Sequence, residues 1–330
     1  MNAIYCKRLC VAWVAALLLS GASEAQTAPP ALRYPDRVVR VIVPYAAGGP
    51  TDTIARIFAQ KLSERLGQQF YVENHPGASA NIGTGIAANA PGDGHTMLFV
   101  TNDFAARPSL SKAPYDPIKS FIPVTVAAAS PQVIVVHPAM PATSMNELIA
   151  LLKANPGKYN YASPGAGTTT HLAAEQLFGL SQRVSVVHVP FNGGAPAIAS
   201  TIAGHTSIAF TALAPAVPYI TQGTLRALAI TSKKRSQASP DVPTLEETGI
   251  LDQESDVMIG VVVPAGTSKE IVDLLYRQIA QAAALPDVKE RLLTLGFDLV
   301  VGTPAEFAAR IPLEIARWSK VAREANIKTD

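Results

Sequence analysis

The chain has 330 residues, 48% of them hydrophobic, and its 27 Lys+Arg nearly balance 25 Asp+Glu for a formal charge of +2. With that balance and no basic stripe or aromatic–basic interleaving, nucleic acid is not an expected partner. Both cysteines, Cys6 and Cys10, stand at the extreme N-terminus, so disulfides, thiolate metal sites and cysteine nucleophiles are excluded from the rest of the chain.

Residues 1–25 read as a secretion signal. Lys7 and Arg8 supply the charge, residues 9–19 are uncharged and mostly apolar, and Gly21-Ala22-Ser23-Glu24-Ala25 offers a small-residue cleavage site after Ala25. The apolar run is shorter than the roughly 20 residues a membrane span needs. Ala22 stands where a lipoprotein signal would carry Cys. About 300 residues then remain, ample for a core without disulfides, and two domains are the natural expectation.

After a Pro/Ala-rich lead at 27–35, strand-like apolar runs occur at 38–44, 70–73, 96–101, 133–136, 159–162, 184–189, 207–210, 225–231 and 258–263. Continuous apolar runs interleaved with helical patterns predict an α/β fold with a mostly parallel sheet flanked by helices. Nine strands are too many for one small sheet, so two α/β lobes are expected. Near the C-terminus, Thr267-Ser268-Lys269-Glu270 caps a helix over 271–284, stopped by Pro286. Thr303-Pro304-Ala305-Glu306 starts another over 307–325, in which Pro312 is expected to make a kink or a split.

Three of the strands run straight into a glycine-rich turn and then a helix. The turns are Tyr45-Ala46-Ala47-Gly48-Gly49-Pro50-Thr51-Asp52, Ser163-Pro164-Gly165-Ala166-Gly167-Thr168-Thr169-Thr170, and Pro190-Phe191-Asn192-Gly193-Gly194-Ala195-Pro196. A helix start offers unpaired N–H groups and the positive end of the helix dipole, which suits an anion. None of the turns carries Lys, Arg, Cys or Glu, so they fit holding a small anion better than reacting with it.

Other chemistries fit less well. Gly83-Thr84-Gly85-Ile86-Ala87-Ala88 matches a relaxed dinucleotide pattern, but a Pro/Gly loop separates it from the preceding strand. Ser163, with His171 or His188 as base, invites a hydrolase reading; yet Pro164 removes an N–H where an oxyanion hole would want one. The six histidines show no metal-binding spacing, and no cofactor is expected. Asp52 and Arg56 are four apart on one helix and could be a plain ion pair.

At this point a resemblance becomes specific. Val43-Pro44-Tyr45-Ala46-Ala47-Gly48-Gly49-Pro50-Thr51-Asp52, Val72-Glu73-Asn74-His75-Pro76-Gly77-Ala78, Pro91-Gly92-Asp93-Gly94-His95-Thr96, Pro114-Tyr115-Asp116-Pro117 and Tyr161-Ala162-Ser163-Pro164-Gly165-Ala166-Gly167-Thr168 occur in order. Val189-Pro190-Phe191-Asn192-Gly193, Pro240-Asp241-Val242-Pro243-Thr244-Leu245-Glu246-Glu247-Thr248-Gly249 and Pro264-Ala265-Gly266-Thr267 follow. Together they resemble the substrate-binding proteins of tripartite tricarboxylate transporters, the Bug or TctC-type family.

The resemblance implies a two-lobed periplasmic binding protein of type II-like fold, with the ligand cleft between lobes. One lobe would combine 31–125 with 257–330 and the other would be 126–256. The ligand would be a small carboxylate, held by backbone amides, hydroxyls and water bridges. Tyr45, Ala47, Gly48, Gly49 and Asp52 would contribute from one lobe; Ser163, Gly165, Gly167, Thr168, Thr169, Asn192 and Gly193 from the other. Thr101, Asn102 and Thr211 are secondary candidates. Thr211 replaces an acidic residue common in the family, which argues against an amino-acid ligand. The expected partners are membrane transporter subunits or a sensor, with the receptor itself a monomer. An exported esterase using Ser163 remains the competing class.

Overall fold

All nine strand-like runs form strands in the computed structural model, which describes residues 33–327; the signal segment 1–25 lies outside the described residues. They are β1 (Val39–Val43), β2 (Phe70–Asn74), β3 (Thr96–Val100), β4 (Phe121–Val136), β5 (Asn160–Ser163), β6 (Val187–Pro190), β7 (Ile208–Ala212), β8 (Arg226–Ile230) and β9 (Asp256–Pro264). A two-residue β10 (Asp298–Leu299) was not expected. The helices are α1 (Pro50–Leu66), α2 (Asn81–Ala88), α3 (Asp103–Ala106), α4 (Met145–Ala154), α5 (Thr169–Glu175), α6 (Gly194–Ile202), α7 (Leu213–Thr221), α8 (Lys269–Ala283), α9 (Pro286–Thr294) and α10 (Pro304–Glu324). From Pro35 onward the chain forms one compact unit.

The strands make one sheet in the order β2-β1-β3-β9-β4-β7-β5-β6, with β8 and β10 also paired to β4. The parallel expectation holds on both flanks: β1 is parallel to β2 and β3, and β5 to β6 and β7. It gives way in the middle, where β4 and β9 run antiparallel to all their partners. Helical crossovers make the flanks parallel; β4 and β9 instead carry the chain directly between the two halves of the sheet.

β4 is the central element. Its first part pairs with β9 from Phe121↔Pro264 to Pro131↔Asp256, and its last part pairs with β7 from Gln132↔Ala212 to Val136↔Ile208. The strand therefore changes partners at Pro131–Gln132. Only 133–136 was expected, because Pro123, Ala127-Ala128-Ala129 and Pro131 break the β-branched pattern that marks the end of the strand.

Each half has its own core. Ile42, Leu98, Val100, Phe104, Phe121 and Val262 pack in the first. In the second, Tyr161, Phe178, Phe210 and Leu148 cover one face of the sheet, and Val133, Ile198, Leu213 and Ile230 the other. α10 joins the two halves: Phe307 and Ile311 enter the first core, while Trp318, Val321 and Ala322 enter the second. The helix runs through Pro312 without the expected split. Its start is the expected capping box, with Thr303 Oγ1 accepting from Glu306 N and Glu306 accepting from Thr303 N. Such a cap contributes about 1 kcal/mol.

Candidate functional site

The first glycine turn leaves β1 and ends at Gly49, the N-cap of α1, with Pro50 as the first helical residue. Gly48 lies at φ +78, in the left-handed region that glycine reaches without strain. Its N–H donates to Asp52 Oδ2 at 2.9 Å. The same Asp52 oxygen accepts from Arg56 Nε at 2.9 Å, and Oδ1 accepts from Asn74 Nδ2 at 2.9 Å. Burial opposes ionisation of Asp52, but these three donors hold its carboxyl below the usual range. Asp52 thus braces the turn from within. Ala47 and Gly48 are exposed above it, and the backbone N–H groups of Thr51 and Asp52 have no partner among the described residues.

Tyr45, Thr101 and Asp103 stand beside this turn. The Tyr45 hydroxyl pairs with Thr101 Oγ1 at 2.7 Å. Burial, with the nearby Asp103 charge, pushes the Tyr45 phenol well above its ordinary value, so it stays protonated. Asn102 turns the other way. Its Oδ1 accepts from Met258 N at 2.8 Å and its Nδ2 donates to Asp256 at 3.3 Å, tying the exit of β3 to β9. It also lines a cavity of about 210 Å³ with Ser232, Glu254, Asp256, Arg310 and Arg317. Within that cluster Arg310 pairs with both Asp256 and Glu314, and Trp318 Nε1 donates to Glu314 at 2.6 Å.

The second and third turns lie side by side because β5 and β6 are adjacent and parallel. Phe191 N donates to Ser163 O, and Gly193 N to Pro164 O at 2.9 Å. Gly165 and Gly193 both have positive φ, and a Cβ on Gly165 would stand 3.3 Å from Phe191 O. Thr168 is the N-cap of α5, accepting from His171 N. Gly167 N donates to His171 Nδ1 at 3.0 Å. Asn192 faces solvent, and buried Thr211 lies against Gly194 at the start of α6.

Asp103 bridges the halves of the sheet next to these turns. Asp103 Oδ1 accepts from Thr169 N at 2.8 Å and from Thr169 Oγ1 at 2.9 Å. A carboxylate from α3 therefore occupies the start of α5, where helix geometry favours an anion. Sequence reasoning gave Thr169 but not its partner, since the two are 66 residues apart.

Ser163 does meet a histidine. Its Oγ lies 2.7 Å from His188 Nε2, while also accepting from Gly165 N at 3.2 Å. The His188 and His171 rings stack at 3.8 Å, and Tyr161 stacks on His188 at 4.8 Å. Burial pulls His188 down to about 4 and, with the His188 neighbour, His171 down to about 3. Both rings are neutral at pH 7. Among the described residues no carboxylate orients His188; Glu175 instead accepts from the Tyr161 hydroxyl at 2.5 Å. The Gly83–Ala88 motif is the body of α2, where a Cβ on Gly83 would meet His75 O and Pro44 Cα at 2.8 Å. Those glycines serve packing rather than a nucleotide.

Residues 54–327 match the model of the tripartite tricarboxylate transporter family receptor. The chain belongs to this family. The receptor is 34% identical over 298 residues to Protein BugT of Bordetella pertussis, a match covering 89% of this chain and 91% of BugT. Among solved structures it is similar to R. palustris Rpa4515 with adipate, at TM-score 0.83 and 33% identity over 89% of this chain and 99% of that one. It is likewise similar to the periplasmic binding protein BugD, at TM-score 0.81 and 32% identity over 90% of this chain and all (100%) of that one. The two-lobed periplasmic binding fold and the family membership implied by the ordered motifs thus both hold.

Proposed function

We propose that this receptor captures a small organic carboxylate in the periplasm and delivers it to the membrane subunits of a tripartite tricarboxylate-type transporter. The observation that carries this reading is the convergence of the second and third glycine turns, joined through Asp103 and Thr169 to the half of the sheet that holds the first. In this reading residues 31–125 with 257–330 form one lobe and 126–256 the other. The change of partners in β4 at Pro131–Gln132 supports a division within that strand, a few residues beyond 125/126. Thr51 and Asp52, at the start of α1 beneath exposed Gly48, offer their free amides to one carboxylate oxygen, and the Ser163–Thr170 and Asn192–Gly193 turns close over the other. Closure follows because such a ligand binds the closed state better than the open one. The chain is exported by residues 1–25, acts as a monomer and binds without turnover or cofactor.

The 2.7 Å Ser163–His188 contact favours a second reading, an exported esterase. Against it, Ser163 is fully buried and, among the described residues, no acid orients His188. Mass spectrometry of ligand released by denaturing gently purified protein tests the first reading. A carboxylate recovered unchanged, which also raises the melting temperature when added back, supports it. Consumption of that compound by purified protein would replace the receptor reading with the enzymatic one.

A further inference from the structure

Asp103 stands on a fixed mount. The preceding residue, Asn102, is 1% exposed. Its amide accepts from Met258 N on β9 at 2.8 Å and donates to Asp256 and to Glu314 of α10. Asp256 is in register with Pro131, where β4 changes partners, and α10 is anchored in both cores. The chain leaving β3 is therefore fastened to β9 and α10 just before it offers a carboxylate to the other half.

A hydrogen-bonded line then runs from the first glycine turn to the second. The Tyr45 hydroxyl pairs with Thr101 Oγ1 at 2.7 Å, and the same Oγ1 accepts from Asp103 N at 3.3 Å. Asp103 Oδ1 accepts in turn from Thr169 N at 2.8 Å and Thr169 Oγ1 at 2.9 Å. Apolar packing follows the same seam. Phe104 and Ala105 lie in the first core, while Ala106 and, beyond Thr169, Leu172 lie in the second. Every atom in this line belongs to the chain, so forming it requires no ligand. A carboxylate accepting two hydrogen bonds makes contacts roughly twice as strong as neutral ones. Separating the halves beside the turns must break both.

We propose that Asp103 is an interlobe latch, its carboxylate on Thr169 holding a fraction of the receptor closed before any ligand enters. The inference uses the two-lobed fold and not the identity of a ligand. The latched fraction is withheld from ligand until Asp103 lets go, which lowers the apparent affinity by that fraction. A ligand that favours the closed state then completes the closure that the latch begins.

Small-angle X-ray scattering tests this on protein stripped of bound ligand by denaturing dialysis and refolded. A compact chain of about 300 residues has a radius of gyration of about 19 Å. Asp103→Ala should exceed wild type by roughly 1 Å as the lobes part. Thr169→Val should shift the same way by less, because it keeps the backbone donor. Asp103→Asn keeps an acceptor oxygen in place and should stay closer to wild type than Asp103→Ala does. Circular dichroism melts establish that each variant is folded. Equal radii for wild type and folded Asp103→Ala overturn the latch, and so does a smaller radius for the variant. Should Asp103→Ala fail to fold, Thr169→Val against wild type decides in the same terms. Either outcome leaves the carboxylate reading standing, since that falls only on the ligand recovered from purified protein.

Discussion

Acidification should destabilise this protein well before its carboxylates titrate, because of the stacked pair His171 and His188. The ordinary histidine value is 6.5, and burial lowers the folded-state values to about 3 and about 4. The unfolded chain therefore takes up protons below pH 6.5 that the folded chain refuses, so stability is lost as pH falls. At pH 5 the loss is set almost wholly by the unfolded value, since both folded values lie lower. A gap of about 1.5 units between 6.5 and 5 corresponds to about 2 kcal/mol for each ring. Glu73, held near 2 by its hydrogen bond from Arg40 against the opposing effect of burial, loses its contribution only below its ordinary 4.5. Urea unfolding at pH 7.5, 6.5 and 5.0 reads the effect directly. Wild type should lose about 2–4 kcal/mol between the first and last of these, most of it below pH 6.5, and the double variant His171→Gln/His188→Gln should show a much shallower slope. An unchanged or greater wild-type stability at pH 5 would refute the reasoning.

Gly92→Ala should cost about 2–3 kcal/mol in urea unfolding, because a Cβ there stands 2.4 Å from Ala265 O and 2.7 Å from the Gly266 carbonyl carbon. Both obstacles are backbone, so the loop that carries residues 264–267 must move; a change under 1 kcal/mol would contradict the packing. Gly48→Val meets no atom within 4 Å but must adopt φ +78. It should fold and lose carboxylate affinity at least about tenfold, and unchanged calorimetric affinity would remove this turn from the site. Ser163→Ala removes the buried hydroxyl that accepts from Gly165 N and pairs with His188, so it should weaken carboxylate binding by about 1–2 kcal/mol through a loosened turn and not through a lost ligand contact, with no ester hydrolysis in either protein. Ester turnover by wild type that vanishes in the variant would instead make Ser163 a nucleophile.

Local signals explain what was legible before the structure. A β-branched run, a glycine turn and a helix start are adjacent in the chain, so the order of strands and the three turns could be read directly. The caps at Ser268 and Thr303 were equally local. Side-chain direction was not. Asp52 could be assigned to a turn but not turned inward, because its partner Asn74 arrives from β2. Thr168 looked like a ligand donor, and its hydroxyl is the cap of its own helix. Asp103 meets Thr169, and Ser163 meets His188, only after strands distant in sequence pair. The Ala- and Pro-rich first part of β4 hid for another reason: its burial comes from β9 and α10 rather than from its own apolar pattern.

The placement of β9 also dictates an order of assembly. In the sheet it separates β3 from β4, yet in the chain it follows every other strand except β10. Until it arrives, β3 and the first part of β4 present open edges, and such edges recruit other chains. A chain cut before Asp256 would keep most of the residues proposed for the cleft and lose the strand that seals the sheet. Closing the sheet must therefore wait for nearly the whole polypeptide.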